Sequence, residues 1–383
     1  MAHLPCFSTK LNKSAIIKAI FICLLTLLLF YCSKSDYGSR LKQLSRAALK
    51  SISAKNVSTL KNDASYIGSK KSQTDHRSQL HSDNESVNRN KERKKSVIAA
   101  KIDKSLICSS DDGYKYKLLV IVQSKCDHFE QRKAIRESWA QRANTLGIPV
   151  LFNVGVSTDN NTENKIKLEN HVSDDILQWF IVDSYKNLTM KSVALLKWIS
   201  DHCSKVAFVM KTNDDVFVNI ELILRVLQYK VMKKSVIGFP LIDEKPNRDE
   251  SYPQFVSENI YPNKTFPMYF SGSLYLFTGD SASILYETAI TSKPLVSLED
   301  VFITGIVAQR SNSISREKLS WTLYQQQCSF SDSFQLSLFA IGHSCTANDI
   351  RSIGISAKNN VLLGIEGYTL FADAVHRLKV WTV

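Results

Sequence analysis

The hydrophobic and polar positions divide the chain into three textures. Residues 15–32, AIIKAIFICLLTLLLFYC, are apolar apart from Lys18 and Thr26. That length is close to the roughly 20 residues that cross a bilayer as a helix. Residues 33–107 are rich in Ser, Lys and Asn, carry only Tyr37 and Tyr66 as aromatics, and keep no apolar period. Such a stretch buries too little surface to offset its conformational entropy and predicts a disordered tether. From Tyr114 the texture changes again. YKLLVIVQS (116–124), IPVLFNVGV (148–156) and DILQWFIVD (175–183) predict strands. Between them, FEQRKAIRESWAQRA (129–143) predicts a helix with Ile135 and Trp139 on one face, and NKIKLENHV (164–172) a polar helix. NLTMKSVALLKWISDHC (187–203) is an amphipathic helix, and KVAFVM (205–210) opens a fourth strand. Strands alternating with helices predict a mostly parallel sheet covered on both faces.

That fourth strand ends in Asn213-Asp214-Asp215 before Val216-Phe217-Val218 resumes. Charges are seldom buried without a partner or a metal. A plain polar turn is one explanation. In open α/β sheets, however, ligands bind beyond the carboxyl ends of the strands, which is where the triplet falls.

Charge and cysteine content narrow the class. The net charge of +13 suggests nucleic acid until it is located. Residues 1–32 contribute +3, and residues 33–107 hold 17 Lys and Arg against 7 Asp and Glu. Residues 108–383 are therefore neutral, and the basic part is RNKERKKS and its surroundings. A solvated tether accounts for it, and no nucleic-acid partner is implied. Phe30-Tyr31-Cys32 is a poor cleavage site, so the apolar run is expected to be a signal anchor rather than a cleaved leader. Lys10, Lys13 and Lys18 before its apolar core and Lys34, Arg40 and Lys42 after it decide its orientation only weakly. The expected organisation is a cytosolic tail (1–14), a transmembrane anchor (15–32), a lumenal stem (33–112) and a globular domain (113–383). Eight cysteines occur without a C-x-x-C pair. In an oxidising lumen some of Cys108, Cys126, Cys203, Cys328 and Cys345 should be bridged. Five is odd, so at least one stays free or joins another chain, which leaves a disulfide-linked or non-covalent dimer open. Sequons at Asn56, Asn84, Asn160, Asn187 and Asn263 are compatible with a secretory route.

Five segments occur in a fixed order: RKAIRESW (132–139), DSYKNLTMKS (183–192), FVMKTNDDVFVN (208–219), MYFSGSLYLFTGD (268–280) and SLEDVFITG (297–305). Together they resemble the inverting β-1,3-glycosyltransferases, a family that includes β-1,3-galactosyltransferases and β-1,3-N-acetylglucosaminyltransferases. The resemblance runs from about Tyr116 to about His343. It implies a glycosyltransferase A-type α/β fold behind a single membrane helix and stem, in the Golgi membrane with the catalytic domain lumenal. It also implies transfer of galactose, N-acetylglucosamine or N-acetylgalactosamine from a UDP-sugar to the 3-hydroxyl of a glycan on a glycoprotein or glycolipid.

The chemistry asks for these residue types. A departing diphosphate gains charge, and a divalent cation held by carboxylates neutralises it. Hard oxygen ligands suit Mn²⁺ or Mg²⁺. The resemblance puts Asp215 on the metal, with Asp214 helping to hold the metal or the nucleotide ribose. Asn213 stands where the family has its first acid. Inversion needs a general base for the acceptor hydroxyl. The resemblance makes it Asp300, with Glu299 the second candidate, although both acids could merely open a helix. Arg132, Arg136 and Lys191 are candidates for the nucleotide phosphates or for buried ion pairs. His343 is a candidate metal ligand or a structural histidine. Gly272 and Gly305 suggest close backbone approach, Tyr269 and Tyr275 are candidates for the acceptor site or the core, and Trp139, Trp179 and Trp198 for the core. Residues 349–383 suggest strands and carry no recognisable chemistry. NDDVFVNIELIL is not an EF-hand loop, because it lacks the glycine at its sixth position. Because of Asn213, a second class stays open: a homologue without activity that binds glycans or assists an active transferase.

Overall fold

The computed structural model describes residues 99–228, 232–293, 295–330 and 339–362. The apolar run 15–32 and residues 33–98 lie outside the described residues. Among the described residues no helix is long and apolar enough to cross a membrane.

The elements follow in the order β1 (Ala100–Ile102), β2 (Leu118–Gln123), α1 (Phe129–Glu137), α2 (Trp139–Thr145), β3 (Val150–Val156), α3 (Asn160–Ser173), β4 (Ile176–Val182), α4 (Leu188–His202) and β5 (Phe208–Asn213). Then come β6 (Phe217–Val218), α5 (Ile220–Leu227), β7 (Ser235–Leu241), β8 (Tyr269–Phe277) and α6 (Ala282–Thr291). A π-helical segment (Val301–Val307), β9 (Ser315–Lys318), β10 (Tyr324–Gln325), β11 (Ile341–Gly342) and α7 (Ala347–Leu362) complete the fold.

The main sheet has the order β1-β4-β3-β2-β5-β8-β7-β9. Its four central neighbours β4, β3, β2 and β5 are parallel, as the alternating pattern predicts. The expectation of a mostly parallel sheet needs correction beyond β5. β8 runs antiparallel to both β5 and β7, and β1 antiparallel to β4, so the sheet is mixed. A parallel neighbour needs a crossover, usually a helix. Residues 242–268 hold no helix, so β8 returns beside β7 in the opposite sense.

β2 is buried at all six positions, as a central strand covered on both faces must be. Leu118, Val120 and Val122 join one core with Ile135, Trp139, Ile220 and Ile223. Leu119 and Ile121 join the other with Leu195, Ile199, Leu285 and Phe302. Trp139, Trp179 and Trp198 all lie in these cores. The run Val216-Phe217-Val218 leaves the main sheet. Its β6 pairs with β11 in a small second sheet, β10-β11-β6. The Asn213–Asp215 turn is therefore where the chain passes from one sheet to the other.

Three sequence expectations change. The single helix over 129–143 is broken at Ser138, whose Oγ donates to Ala134 O at 2.7 Å and draws that backbone acceptor away from its helical role. Residues 347–362 form a helix rather than strands, with Ile350 and Ile353 buried on one face. Gly354 lets this helix close on the break, since a Cβ there would lie 2.4 Å from Ser138 Cβ. Finally, residues from Ala100 to Cys108, within the span assigned by composition to the stem, take part in the fold. β1 pairs with β4, and Cys108 is bridged to Cys203. A second disulfide joins Cys328 to Cys345, and Cys126 is the buried free thiol among the described residues.

Candidate active site

The triplet sits at the carboxyl end of β5, between β2 and β8. Its backbone is held from both sides: Asp214 N donates to Gln123 O at 3.1 Å, and Cys345 N donates to Asp215 O at 2.8 Å. The Asp214 carboxylate accepts from Ser124 Oγ at 2.7 Å and lies 2.9 Å from His128 Nδ1. That contact raises the His128 imidazole above its ordinary pKa. Asp215 is different. Its Oδ2 lies 3.7 Å from His343 Nε2, and its Oδ1 is buried with no hydrogen-bond partner, although the side chain as a whole is 45% exposed. Burial pushes the Asp215 carboxyl up and Asp214 adds to the rise, while His343 opposes it. An oxygen in this condition has a lone pair that a cation could use. Two carboxylates and an imidazole are a donor set that suits Mn²⁺. Among the described residues no three such ligands already lie close enough to hold an ion. The remaining coordination would have to come from water and phosphate oxygens, as is common for such ions at phosphate sites.

Across β8, Asp300 opens the π-helical segment. Its Oδ1 accepts from Val301 N at 2.9 Å and its Oδ2 from Gly272 N at 3.0 Å. A Cβ at position 272 would crowd this carboxylate, lying 3.0 Å from Asp300 Oδ2. Burial, and after it the Glu299 charge, push the Asp300 carboxyl up to about 6, with Lys211 pulling the other way. The phenols of Tyr269 and of part-exposed Tyr185 are both raised, by desolvation first and then by the Asp300 charge. Gly305 makes room for Tyr269, whose Cβ would lie 3.0 Å from a Cβ at 305. Glu299, its neighbour, is buried, pairs with Lys211 Nζ at 3.1 Å and accepts from Tyr275 OH at 2.5 Å. Tyr275 is core, and its phenol is raised far by burial and Glu299.

Lys211 escaped the sequence reading. Its ammonium also donates to Asn213 Oδ1 at 2.9 Å and to Gly272 O at 2.6 Å. The signal was present, because a lysine inside the strand FVMKTN needs a buried partner. His128 and Tyr185 were also missed. His128 has no local pattern that sets it apart, whereas Tyr185 lies inside the DSYKNLTMKS segment and was not singled out there.

Arg132, Arg136 and Lys191 were left between ligand and structural roles, and the structure places each in an ion pair. Arg132 is fully buried, pairs with Glu169 at 2.8 Å and donates to Ser124 Oγ and Lys125 O. Arg136 pairs with Glu169 at 2.7 Å and Asp175 at 2.8 Å. Lys191 pairs with Asp183 at 2.8 Å and donates to Ser124 O at 3.1 Å. Asp183 in turn accepts from Cys126 N at 2.8 Å. Arg132, Lys191 and Asp183 therefore fix residues 124–126, from which Ser124 orients Asp214. The NLT segment is tied to the other acid, since Thr189 Oγ1 lies 2.9 Å from Val296 O. Lys191→Met should destabilise the fold by about 3 kcal/mol, because it leaves a buried carboxylate without its cation. Denaturant unfolding of the variant measures this, and a loss under about 0.5 kcal/mol, the range of ordinary surface changes, would contradict the assignment.

One acidic turn closes β5 and another opens the π-helical segment, and Lys211 touches both. Residues 130–320 match the family model described as Galactosyltransferase. The chain is 30% identical over 221 residues to beta-1,3-galactosyltransferase 1 of Homo sapiens, covering 54% of this chain and 66% of that protein. It is 32% identical over 198 residues to beta-1,3-galactosyltransferase 5 of Pan paniscus, covering 51% and 65%. The chain thus spans just under two thirds of these relatives. It belongs to the β-1,3-glycosyltransferase family. Among solved structures, a glycosyltransferase involved in glycosylation of the major capsid of PBCV-1 aligns with TM-score 0.36 and 9% identity, over 62% of this chain and 98% of that one. The galactosyltransferase LgtC in complex with donor and acceptor sugar analogs aligns with TM-score 0.31 and 12% identity, over 70% and 96%. These scores are too low to add to what the strand order shows.

Proposed function

We propose that the protein is a hexosyltransferase that moves a sugar from a UDP-sugar to the 3-hydroxyl of an acceptor glycan, with inversion, forming a β-1,3 linkage. The observation that carries this reading is the carboxyl of Asp300 held by Gly272 N and joined through Gly272 and Lys211 to the turn bearing Asp215. A general base works best with a pKa near the operating pH, and about 6 approaches that range.

Asp300 takes the proton from the acceptor hydroxyl as that oxygen bonds to the anomeric carbon. On the opposite face the bond from that carbon to the diphosphate breaks, and UDP leaves with the electron pair. Asp215, with Asp214 and His343, would hold Mn²⁺ or Mg²⁺, which when bound offsets the charge of the diphosphate. Ser124 and His128 fix the Asp214 carboxylate, and Tyr269 and Tyr185 shape the acceptor side. The glycosyltransferase A-type assignment, the lumenal placement behind a type II Golgi anchor and the glycoprotein or glycolipid acceptor belong to the same reading. The sequons and the two disulfides agree with a secretory compartment.

The rival is a glycan-binding or chaperone-like homologue without activity, which Asn213 favoured. In the structure the Asn213 amide is engaged by Lys211, and Asp215 keeps its orphan oxygen, so the exchange leaves the charged pair Asp214-Asp215 in place. The test is UDP release by the full chain in detergent, from UDP-galactose, UDP-N-acetylglucosamine and UDP-N-acetylgalactosamine, with and without Mn²⁺. The names of the relatives make galactose the first donor to try. Metal-dependent release that rises with a glycan acceptor is expected. Folded protein that releases no UDP from any of the three would leave the rival.

A further inference from the structure

Lys211 is nearly sealed from solvent, and so is Glu299, the carboxylate it pairs with among the described residues. Its other two acceptors are neutral: the Asn213 amide oxygen on the turn that carries Asp215, and Gly272 O on the strand whose N–H holds Asp300. One buried ammonium thus joins the two acidic turns: it pairs directly with Glu299, and its charge already acts on Asp300 and Asp215 as well. An acid at 213 in the same position would add a second direct ion pair to a cation already shared. The added carboxylate would be uncompensated, and buried uncompensated charge is expensive.

We infer that Lys211 is a positioning residue that sets the register between the two acidic turns, and that Asn213 serves as its neutral acceptor rather than as a weakened metal ligand. This inference rests on the transferase reading for its kinetic consequences but not for its physical ones. Removing the ammonium, or adding a carboxylate beside it, frees one turn to shift against the other. Displacements of that kind cost rate more than donor affinity, because the reacting atoms must be held in a near-attack geometry.

The full chain in detergent tests this with Asn213→Asp, Glu299→Gln, the double variant N213D/E299Q and Lys211→Met. The double variant keeps one carboxylate on Lys211 and moves it from 299 to 213. Asn213→Asp should lower kcat by about 10-fold with donor KM changed by less than about 3-fold, as expected for an interaction that matters in the transition state. Manganese affinity, read from the electron paramagnetic resonance signal of free Mn²⁺, should stay within about 3-fold, since a new hard ligand would tighten it much more. Glu299→Gln should also slow turnover. The double variant should be faster than the product of the two single effects by about 10-fold or more, the mark of residues that share a partner. A tenfold gain in Mn²⁺ affinity for Asn213→Asp would overturn the inference, as would simple multiplication of the two losses. If Lys211→Met does not fold, the charge-transfer pair still decides. Unfolding temperatures of the same variants form a second cycle that needs no turnover. Additive shifts there overturn the network, whereas a wild-type chain without UDP release overturns only the transferase reading.

Discussion

Asp300→Asn is expected to lower kcat for sugar transfer by about 10²–10⁴-fold, the usual worth of a positioned general base. The amide keeps the size of the side chain, and its one oxygen can still accept from Gly272 N or Val301 N, so the turn should keep its shape. What disappears is the site that takes the proton. The same carboxyl sets a pH dependence. It must be ionised to act, and its pKa is about 6, so wild-type kcat/KM should fall on the acid side with a midpoint near that value. The stability consequence has the opposite sense. The folded carboxyl holds its proton more tightly than the ordinary value of 3.8, so its favourable contribution is fully present below that value and is lost as pH rises through about 6. At neutral pH the wild type carries this penalty and Asp300→Asn does not. The variant should therefore unfold at a temperature no lower than wild type at pH 7.5 while being almost inert. An acid limb that persists unchanged in residual Asp300→Asn activity would move the base to another group. A variant that loses activity only by unfolding would remove Asp300 from the reaction.

Adjacent acids such as Glu299 and Asp300 cannot be separated from sequence, because both fit a helix start equally well. Side-chain direction separates them. Glu299 points to Lys211 and Tyr275 in the core, while Asp300 faces Gly272 N and Val301 N. Arg132 and Lys191 were ambiguous for a related reason, since a guanidinium or ammonium near phosphate chemistry looks the same whether it meets phosphate or Glu169 and Asp183. The parallel half of the sheet was legible because each strand there is followed by a helix of recognisable period, from β2 through α4. The antiparallel half was not, because strand direction after β7 depends on how residues 242–268 return, and no local pattern encodes that. The helix Ala347–Leu362 was misjudged because its Ile, Ser and Gly content favours strand or turn, whereas its packing against Ser138 is a long-range fact. Lys211 is the instructive miss: a charge within a buried strand is a stronger sign of a site than the acids that drew notice at its end.

Asp215→Ala should abolish metal-dependent transfer, with kcat lower by about 10³-fold or more, since a metal supplies several kcal/mol of charge stabilisation to the departing diphosphate. The argument begins with a carboxylate in a poor position. One oxygen is buried without a donor, the other is 3.7 Å from His343, and Asp214 lies beside it in the chain. A carboxylate so placed contributes little to stability, and a bound cation would satisfy it. The variant should therefore separate function from stability. Binding of Mn²⁺, followed by the resonance of the free ion, should weaken by about 10-fold or more, as losing a charged oxygen ligand requires. The unfolding temperature of Asp215→Asn in chelator should equal or exceed that of wild type, because the unpaired charge is gone and the backbone bond from Cys345 N to Asp215 O remains. Chelation of wild type should reproduce the kinetic loss without the mutation. Should Asp215→Ala bind Mn²⁺ as wild type does, the cation sits elsewhere. Should wild-type transfer ignore chelation, the charge of the leaving diphosphate must be met by protein cations alone, and Asp215 has another task.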